Sequence, residues 1–287
     1  MYSKKVLVFI LVAVFALGTL LVGCDEEAGE GSVDIAYVNW ADNVAVTYLA
    51  QAVLEEEMGY DVNVTMADAG AIYEDIAGGD HDVFLATWLP VTHQDYWEQH
   101  GDNIDQIGPN FTDAKIGLVV PEYVEIDSIE EMGEYIDDFD GQLIGIDPGA
   151  GIMQAAGSAL EAYDSLADYE LLDSSDVGMT SELSQAVENE EWIAVTGWIP
   201  HWKFARYDLK FLEDPEGVFG EAENVYNVGR MGLADDMPEV REFFENFYLD
   251  DEKLHELMVM IEETGDEQGS AREWMEDNMD IVENWLP

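Results

Sequence analysis

The chain has 287 residues, 64 acidic against 10 basic, for a formal net charge of −54. A charge of that sign and size disfavours nucleic acid and anionic membrane surfaces as partners, since both would repel it. Nearly half of the residues are hydrophobic and eight are tryptophan, which excludes a disordered chain in spite of the charge.

Lys4 and Lys5 precede an apolar run from Val6 to Val22, and Leu21-Val22-Gly23-Cys24 closes it. This is the layout of a secretory signal, expected over residues 1–23. The run is short for a membrane span, and Asp25-Glu26-Glu27 follow it without a stop-transfer pattern. Leu-Val-Gly-Cys resembles the lipobox of bacterial lipoproteins, which implies a lipid on Cys24 and an attachment to the outer face of the cell membrane through that lipid alone. An uncleaved N-terminal anchor with Cys24 incidental is the alternative, and either exports the rest. With one cysteine no disulfide forms within the chain, so compactness must come from a core. The remaining stretch of about 260 residues is long enough for two domains.

Residues 24–32, acidic and glycine-rich after the cysteine, read as a tether. Strand and helix signals then alternate. Val33 to Val38 is rich in strand formers, and Val44 to Met58 has helical periodicity that stops at Gly59. A strand over Val62–Met66 and a short helix over Ala71–Ala77 follow, then strands over Asp82–Ala86 and Ile116–Val120. Ser128-Ile129-Glu130-Glu131 is a capping box and predicts a further helix. A strand over Leu143–Ile146, a helix from Gly151 to Tyr163, a helix over Ser181–Glu190 and a strand over Ile193–Thr196 continue the alternation. From Pro238 to the end only helices are expected. Such alternation predicts an α/β fold with mainly parallel sheets. The acids run through nearly every predicted helix and loop rather than through one tail. That pattern fits a solvated surface adapted to high salt, where the Debye length falls to roughly 3 Å at 1 M.

Three segments place tryptophan at or after a strand end beside turn residues. They are Tyr37-Val38-Asn39-Trp40, Ala86-Thr87-Trp88-Leu89-Pro90-Val91-Thr92-His93 and Val195-Thr196-Gly197-Trp198-Ile199-Pro200-His201-Trp202. In open α/β sheets the carboxyl ends of the strands face the ligand crevice, so large aromatics there are binding candidates as well as packing residues. A fourth segment, Gly145-Ile146-Asp147-Pro148-Gly149-Ala150-Gly151-Ile152-Met153, is a strand end, a turn and a glycine-rich helix entry. Free N–H groups at a helix start bind anions and glycine permits close approach; a plain strand-to-helix turn is the alternative. The chain has no Gly-Lys-Ser/Thr phosphate loop.

Taken together these segments resemble the substrate-binding proteins of ABC importers for glycine betaine, from about Val33 to the C-terminal helices. Trp-Leu-Pro-Val-Thr-His, Gly-Ile-Asp-Pro-Gly-Ala-Gly-Ile-Met and Thr-Gly-Trp-Ile-Pro-His-Trp-Lys-Phe look like three of the family's signature stretches. The resemblance implies a two-lobed periplasmic-binding-protein fold of type II with the ligand cleft between the lobes. It places lobe I at residues 33–116 with 228–287, and lobe II at 117–227. It implies an aromatic cage of Trp40, Trp88 and Trp198 for a quaternary ammonium group, and a carboxylate site made by His93 and the N–H groups of Gly151 and Ile152. Glycine betaine or a relative such as proline betaine is the implied ligand, and a permease with its cytoplasmic ATPase the implied partners. Neither catalysis, cofactor nor metal is expected. A choline or carnitine type of binding protein and an osmolyte-sensing lipoprotein are the alternatives.

The implied site is chemically coherent. A trimethylammonium group has a spread charge, no donor and an apolar surface, so indole faces both attract the cation and bury its methyls, for roughly 0.5–2 kcal/mol each. The carboxylate needs directed donors instead. His81, His100 and His255 are expected at the surface, His201 and Trp202 in packing behind the site, and Trp192, Trp274 and Trp285 in the core.

Overall fold

Residues 31–287 are described by the computed structural model of the chain. The expected signal, Cys24 and most of the expected tether lie outside those residues.

The first strand, β1 (Ser32–Tyr37), leads into α1 (Ala41–Glu56), β2 (Asp61–Met66), α2 (Ala69–Gly78) and β3 (Val83–Leu89). All seven side chains of β3 are buried, as its unbroken apolar run requires of a central strand. Gly79 ends α2 in the left-handed region at φ 82°. The chain continues through α3 (Gln94–His100) and an 18-residue strand, β4 (Ile104–Pro121). Then come β5 (Gln142–Ile144), α4 (Gly151–Ala162), β6 (Glu170–Leu172), α5 (Asp176–Asn189), β7 (Val195–Ile199), α6 (Lys203–Arg206), β8 (Leu209–Phe211) and β9 (Glu223–Arg230). Five helices close the chain: α7 (Leu233–Asp236), α8 (Pro238–Asn246), α9 (Asp251–Thr264), α10 (Glu267–Asp277) and α11 (Met279–Val282).

The strands pair in the order β2-β1-β3-β9-β4-β7-β5-β6, with β8 also on β4. β4 belongs to both halves. Up to Ala114, opposite Glu223, it pairs with β9; from Lys115, opposite Ile199, it pairs with β7. β1, β2, β3 and β9 with the first part of β4 form the first lobe's sheet, and β5, β6, β7 and β8 with the rest of β4 form the second's. The sheets are mixed rather than mainly parallel, because β9 runs antiparallel to both β3 and β4 in the first sheet, and β4, which continues into the second, runs antiparallel to β7. Residues 223–227, expected on the lobe II side of the return, pair with β3 and β4 in the first sheet. The capping box at Ser128 forms as expected, but it opens a 3-10 helix, Ile129–Glu134. α3, β6, α6, β8 and β9 were not expected, and of β4 only Ile116–Val120 was, because polar residues interrupt the strand pattern of its earlier part.

α9 and α10 pack on α1, where Arg272 bonds Glu56 at 2.7 Å and Glu55 at 2.9 Å. Trp274 and Trp285 are buried and stacked in this region, whereas Trp192 is half-buried against Phe139. His81, His100 and His255 are half-buried rather than fully at the surface. Eight basic residues lie among the described ones, and every one is engaged. Six make ion pairs, Lys115 lies over Phe211, and Lys203 over Trp198. Among the described residues no helix is long and apolar enough to cross a membrane.

Candidate ligand-binding site

Trp88 stands near the end of β3, and the Leu89–Pro90 bond after it is cis. The chain turns back at once: His93 N–H donates to Trp88 O at 3.0 Å, and Trp88 N–H donates to His93 Nδ1 at 3.2 Å. A backbone N–H can only donate, so Nδ1 is the bare nitrogen and Nε2 carries the proton. Burial holds the imidazole down to about 3, so the ring is neutral. Nε2 is buried with no hydrogen-bond partner among the described residues. Tyr73 donates its hydroxyl proton to Thr87 Oγ1 at 3.0 Å, and its ring packs edge-on behind the imidazole, with centroids 5.7 Å apart.

Trp40 ends the turn after β1 and caps α1 through its carbonyl, which accepts from Val44 N–H at 2.8 Å. Across the cleft, the turn after β5 is closed by Ala150 N–H on Asp147 O at 2.9 Å, and α4 then begins at Gly151. Ala150 offers no side-chain cap, so the Gly151 and Ile152 N–H groups have no acceptor within the helix. Gly151 must be glycine: a Cβ there would lie 2.0 Å from the carbonyl oxygen of Thr92. Trp198 near the end of β7 is followed by a second cis bond, Ile199–Pro200.

All six residues expected to touch the ligand, Trp40, Trp88, His93, Gly151, Ile152 and Trp198, line one pocket. Thr92, Ile116, Ile146 and Ala150 complete it, and no charged side chain is among the lining residues, His93 being neutral. The pocket is small, about 20 Å³ in volume. Trp40 and His93 stand 5.8 Å apart between ring centroids. The nearby carboxylates hold the indoles by their edges. Trp198 Nε1 donates to Asp42 Oδ1 at 2.9 Å, and Trp40 Nε1 donates to Asp147 Oδ2 at 3.4 Å. Trp88 Nε1 is buried without a hydrogen-bond partner among the described residues.

The lobes are clasped around the pocket. Tyr96 donates its hydroxyl to Gly149 O at 2.7 Å, and Ala41 N–H donates to Asp176 Oδ2 at 2.9 Å. Asp42, Asp147 and Asp176 were not expected at the site, since short acids in so acidic a chain carry no signal of their own. The available clue was position: Asp42 stands two residues after Trp40, and Asp147 lies within the Gly145–Met153 segment. His201 and Trp202, expected as packing, are buried and do not line the pocket.

A two-lobed fold with aromatic strand ends closing on a small apolar pocket defines a binding protein of the two-domain, cleft-closing class. Residues 31–277 match the substrate-binding domain of ABC-type glycine betaine transport systems, and the chain belongs to that family. It is 38% identical over 176 residues to the glycine betaine/carnitine transport binding protein GbuC of Listeria monocytogenes serotype 1/2a (strain 10403S), a match covering 61% of this chain and 57% of that protein. The chain thus spans rather more than half the length of that relative. Among solved structures it is similar to lactococcal OpuAC in its closed, glycine betaine-bound form, with 34% identity and a TM-score of 0.86 over 90% of this chain and all of the other. The glycine betaine/L-proline-binding protein ProX of Borrelia burgdorferi matches equally well, with 36% identity and a TM-score of 0.86 over 89% and 97% of the two chains. A choline-binding protein in complex with choline shares 26% identity at a TM-score of 0.82, over 88% and 91%.

Proposed function

We propose that this protein captures glycine betaine, or a close quaternary ammonium relative such as proline betaine, and delivers it to an ABC permease driven by a cytoplasmic ATPase. Trp40, Trp88 and Trp198 cage the trimethylammonium group, while His93 Nε2–H and the Gly151 and Ile152 N–H groups receive the carboxylate. The observation that carries this reading is the pocket itself: three indoles without a lining charge, opposite a buried imidazole N–H that has no other acceptor. A neutral donor and a helix start together suit an anionic group, which favours betaines over choline. The protein works outside the cytoplasm, held by a lipid on Cys24 once residues 1–23 are removed, and supplies the cell with an osmoprotectant.

Calorimetric titration of the purified protein against glycine betaine, proline betaine, carnitine and choline tests the assignment. Glycine betaine or proline betaine should bind most tightly. If choline binds more tightly than either betaine, the carboxylate site is wrong; if no quaternary ammonium binds, so is the cage.

A further inference from the structure

Behind Trp198 four titratable side chains are buried together. Asp42 and Asp176 are each 4% exposed, His201 1% and Lys203 not at all. Burying a lysine is costly, and this chain has few basic residues to spare. Lys203 begins α6, and its Nζ lies 4.0 Å from the centroid of the Trp198 ring without a hydrogen-bond acceptor. Lys203 is absent from the pocket lining, so its ammonium covers the indole face turned away from the pocket.

The hydrogen bonds around it cross the cleft in both directions. Trp198, on the second lobe, donates Nε1–H to Asp42 on α1 of the first. Ala41 N–H at the start of α1 donates back to Asp176 on α5 of the second. The other oxygen of Asp176 accepts from His201 Nε2 at 2.9 Å, and His201 Nδ1 accepts from Lys203 N–H at 3.1 Å. Nδ1 is therefore bare and Nε2 carries the proton. Burial dominates here: it holds His201 down to about 4 and Lys203 down to about 7, and lifts Asp42 to about 7. Asp176 moves the other way, lowered by His201 and Lys203 against its own burial. Asp42 meets Trp198, and Ala41 meets Asp176, only with the lobes together.

We propose that Asp42, Asp176 and Lys203 form an interlobe latch that fixes Trp198 as a cage wall and holds the cleft shut, without any of the three touching the ligand. They are positioning residues, and the proposal rests on the betaine-binding function above. A latch acts on the closed population, so its loss weakens every ligand of the cage by one common factor. A ligand contact instead discriminates between ligands. Dissociation requires opening, so the loss falls on the dissociation rate.

The test uses Asp42→Ala, Asp42→Asn and Lys203→Met in the intact protein. Calorimetry and stopped-flow tryptophan fluorescence with glycine betaine and with choline give affinities and rates, and melting is followed without ligand. Asp42→Ala should weaken both ligands at least tenfold, by factors within threefold of each other, mainly through faster dissociation, with the unliganded melting temperature nearly unchanged. Asp42→Asn keeps an oxygen for Trp198 Nε1 and should recover most of the loss. Asp42→Ala combined with Lys203→Met should lose less than the product of the single losses, because the residues form one unit. An Asp42→Ala affinity within threefold of the parent for both ligands overturns the latch. So do losses that differ more than threefold between ligands, which would make Asp42 a ligand contact. Should Lys203→Met fail to fold, the two Asp42 variants decide alone. A parent that binds neither ligand removes the betaine function but not the test. Small-angle scattering of the unliganded protein must then give a larger radius of gyration for Asp42→Ala, and an unchanged radius overturns the latch.

Discussion

β3 and β7 end alike, in Trp88-Leu89-Pro90 and Trp198-Ile199-Pro200, each with a cis bond before the proline, and each tryptophan lines the same pocket. Their surroundings differ. Trp88 belongs to a half-site complete within the first lobe: its backbone N–H fixes His93, Tyr73 backs the ring, and its own Nε1 has no partner. Trp198 reaches its final surroundings only across the cleft, where Asp42 of the other lobe takes its Nε1–H while Lys203 covers its far face. One wall is therefore built within a single lobe, and the other is completed by contact between the lobes. On the proposed function, two similar strand ends divide recognition and closure between the lobes.

Removing the tryptophans probes this division with the largest effects. Trp88→Ala and Trp198→Ala each delete a cation–π face of about 0.5–2 kcal/mol together with buried apolar contact of about 1.5–3 kcal/mol. Titration should show losses of a hundredfold or more for glycine betaine, with Trp198→Ala the worse because it also undoes the bond to Asp42. Trp285→Ala, far from the pocket, should leave affinity alone and cost about 3–5 kcal/mol of stability in denaturant unfolding. Near-parental affinity in both cage variants would show that the indoles do not hold the cation.

His93→Ala is the next largest. It removes a hydrogen bond to a charged group, worth about 1.5–3 kcal/mol for glycine betaine. Choline has the same cation and a hydroxyl in place of the carboxylate, so it should lose less. Trp88→Ala should hurt both ligands by similar factors. Equal losses for both ligands in His93→Ala would mean that the imidazole shapes the pocket rather than receiving the carboxylate.

A smaller effect follows from protonation. His93 titrates at about 3 in the fold against 6.5 for a free histidine. Between those values the unfolded chain binds a proton that the fold refuses, so this residue makes stability fall as pH drops from 6.5. Asp42, lifted to about 7 from 3.8, acts in the opposite direction over much of that window. The contribution of His93 is thus read as a difference. Between pH 6.5 and 5 the melting temperature of His93→Gln should fall less steeply than that of the parent, while identical slopes would show that the ring is not buried neutral. Salt should have the least effect on the site. From about 0.1 to 2 M salt the melting temperature should rise as repulsion among the acids is screened, while affinity for glycine betaine should move less than threefold, because the pocket carries no lining charge. Stability that stays flat or falls over that range would refute adaptation of the acidic surface to salt.

Much of the site was legible because its chemistry is carried by rare residue types in short segments. Tryptophan at three strand ends, one histidine five residues after Trp88 and a glycine-rich helix entry stand out in any chain. The latch did not stand out. Asp42 and Asp176 are two of 64 acids, and in such a composition the sequence cannot separate a buried carboxylate from a solvated one. Lys203 offered the better clue, as a lone cation directly after a strand in Pro200-His201-Trp202-Lys203, yet a surface lysine would read the same.

The alternation of strand and helix and the helical C-terminal region follow from local pattern, which acts over a few positions and needs no partner, while the six pocket residues were named through the resemblance of short motifs. The mixed pairing of the sheets, the single strand shared by both lobes and the fate of each buried charge depend on groups far apart in the chain. Asp42 meets Trp198 across 156 residues and Ala41 meets Asp176 across 135. Whether a polar group is buried, and which group then receives its hydrogen bond, is fixed only when the lobes pack, because burial is a property of the whole surface rather than of any one segment.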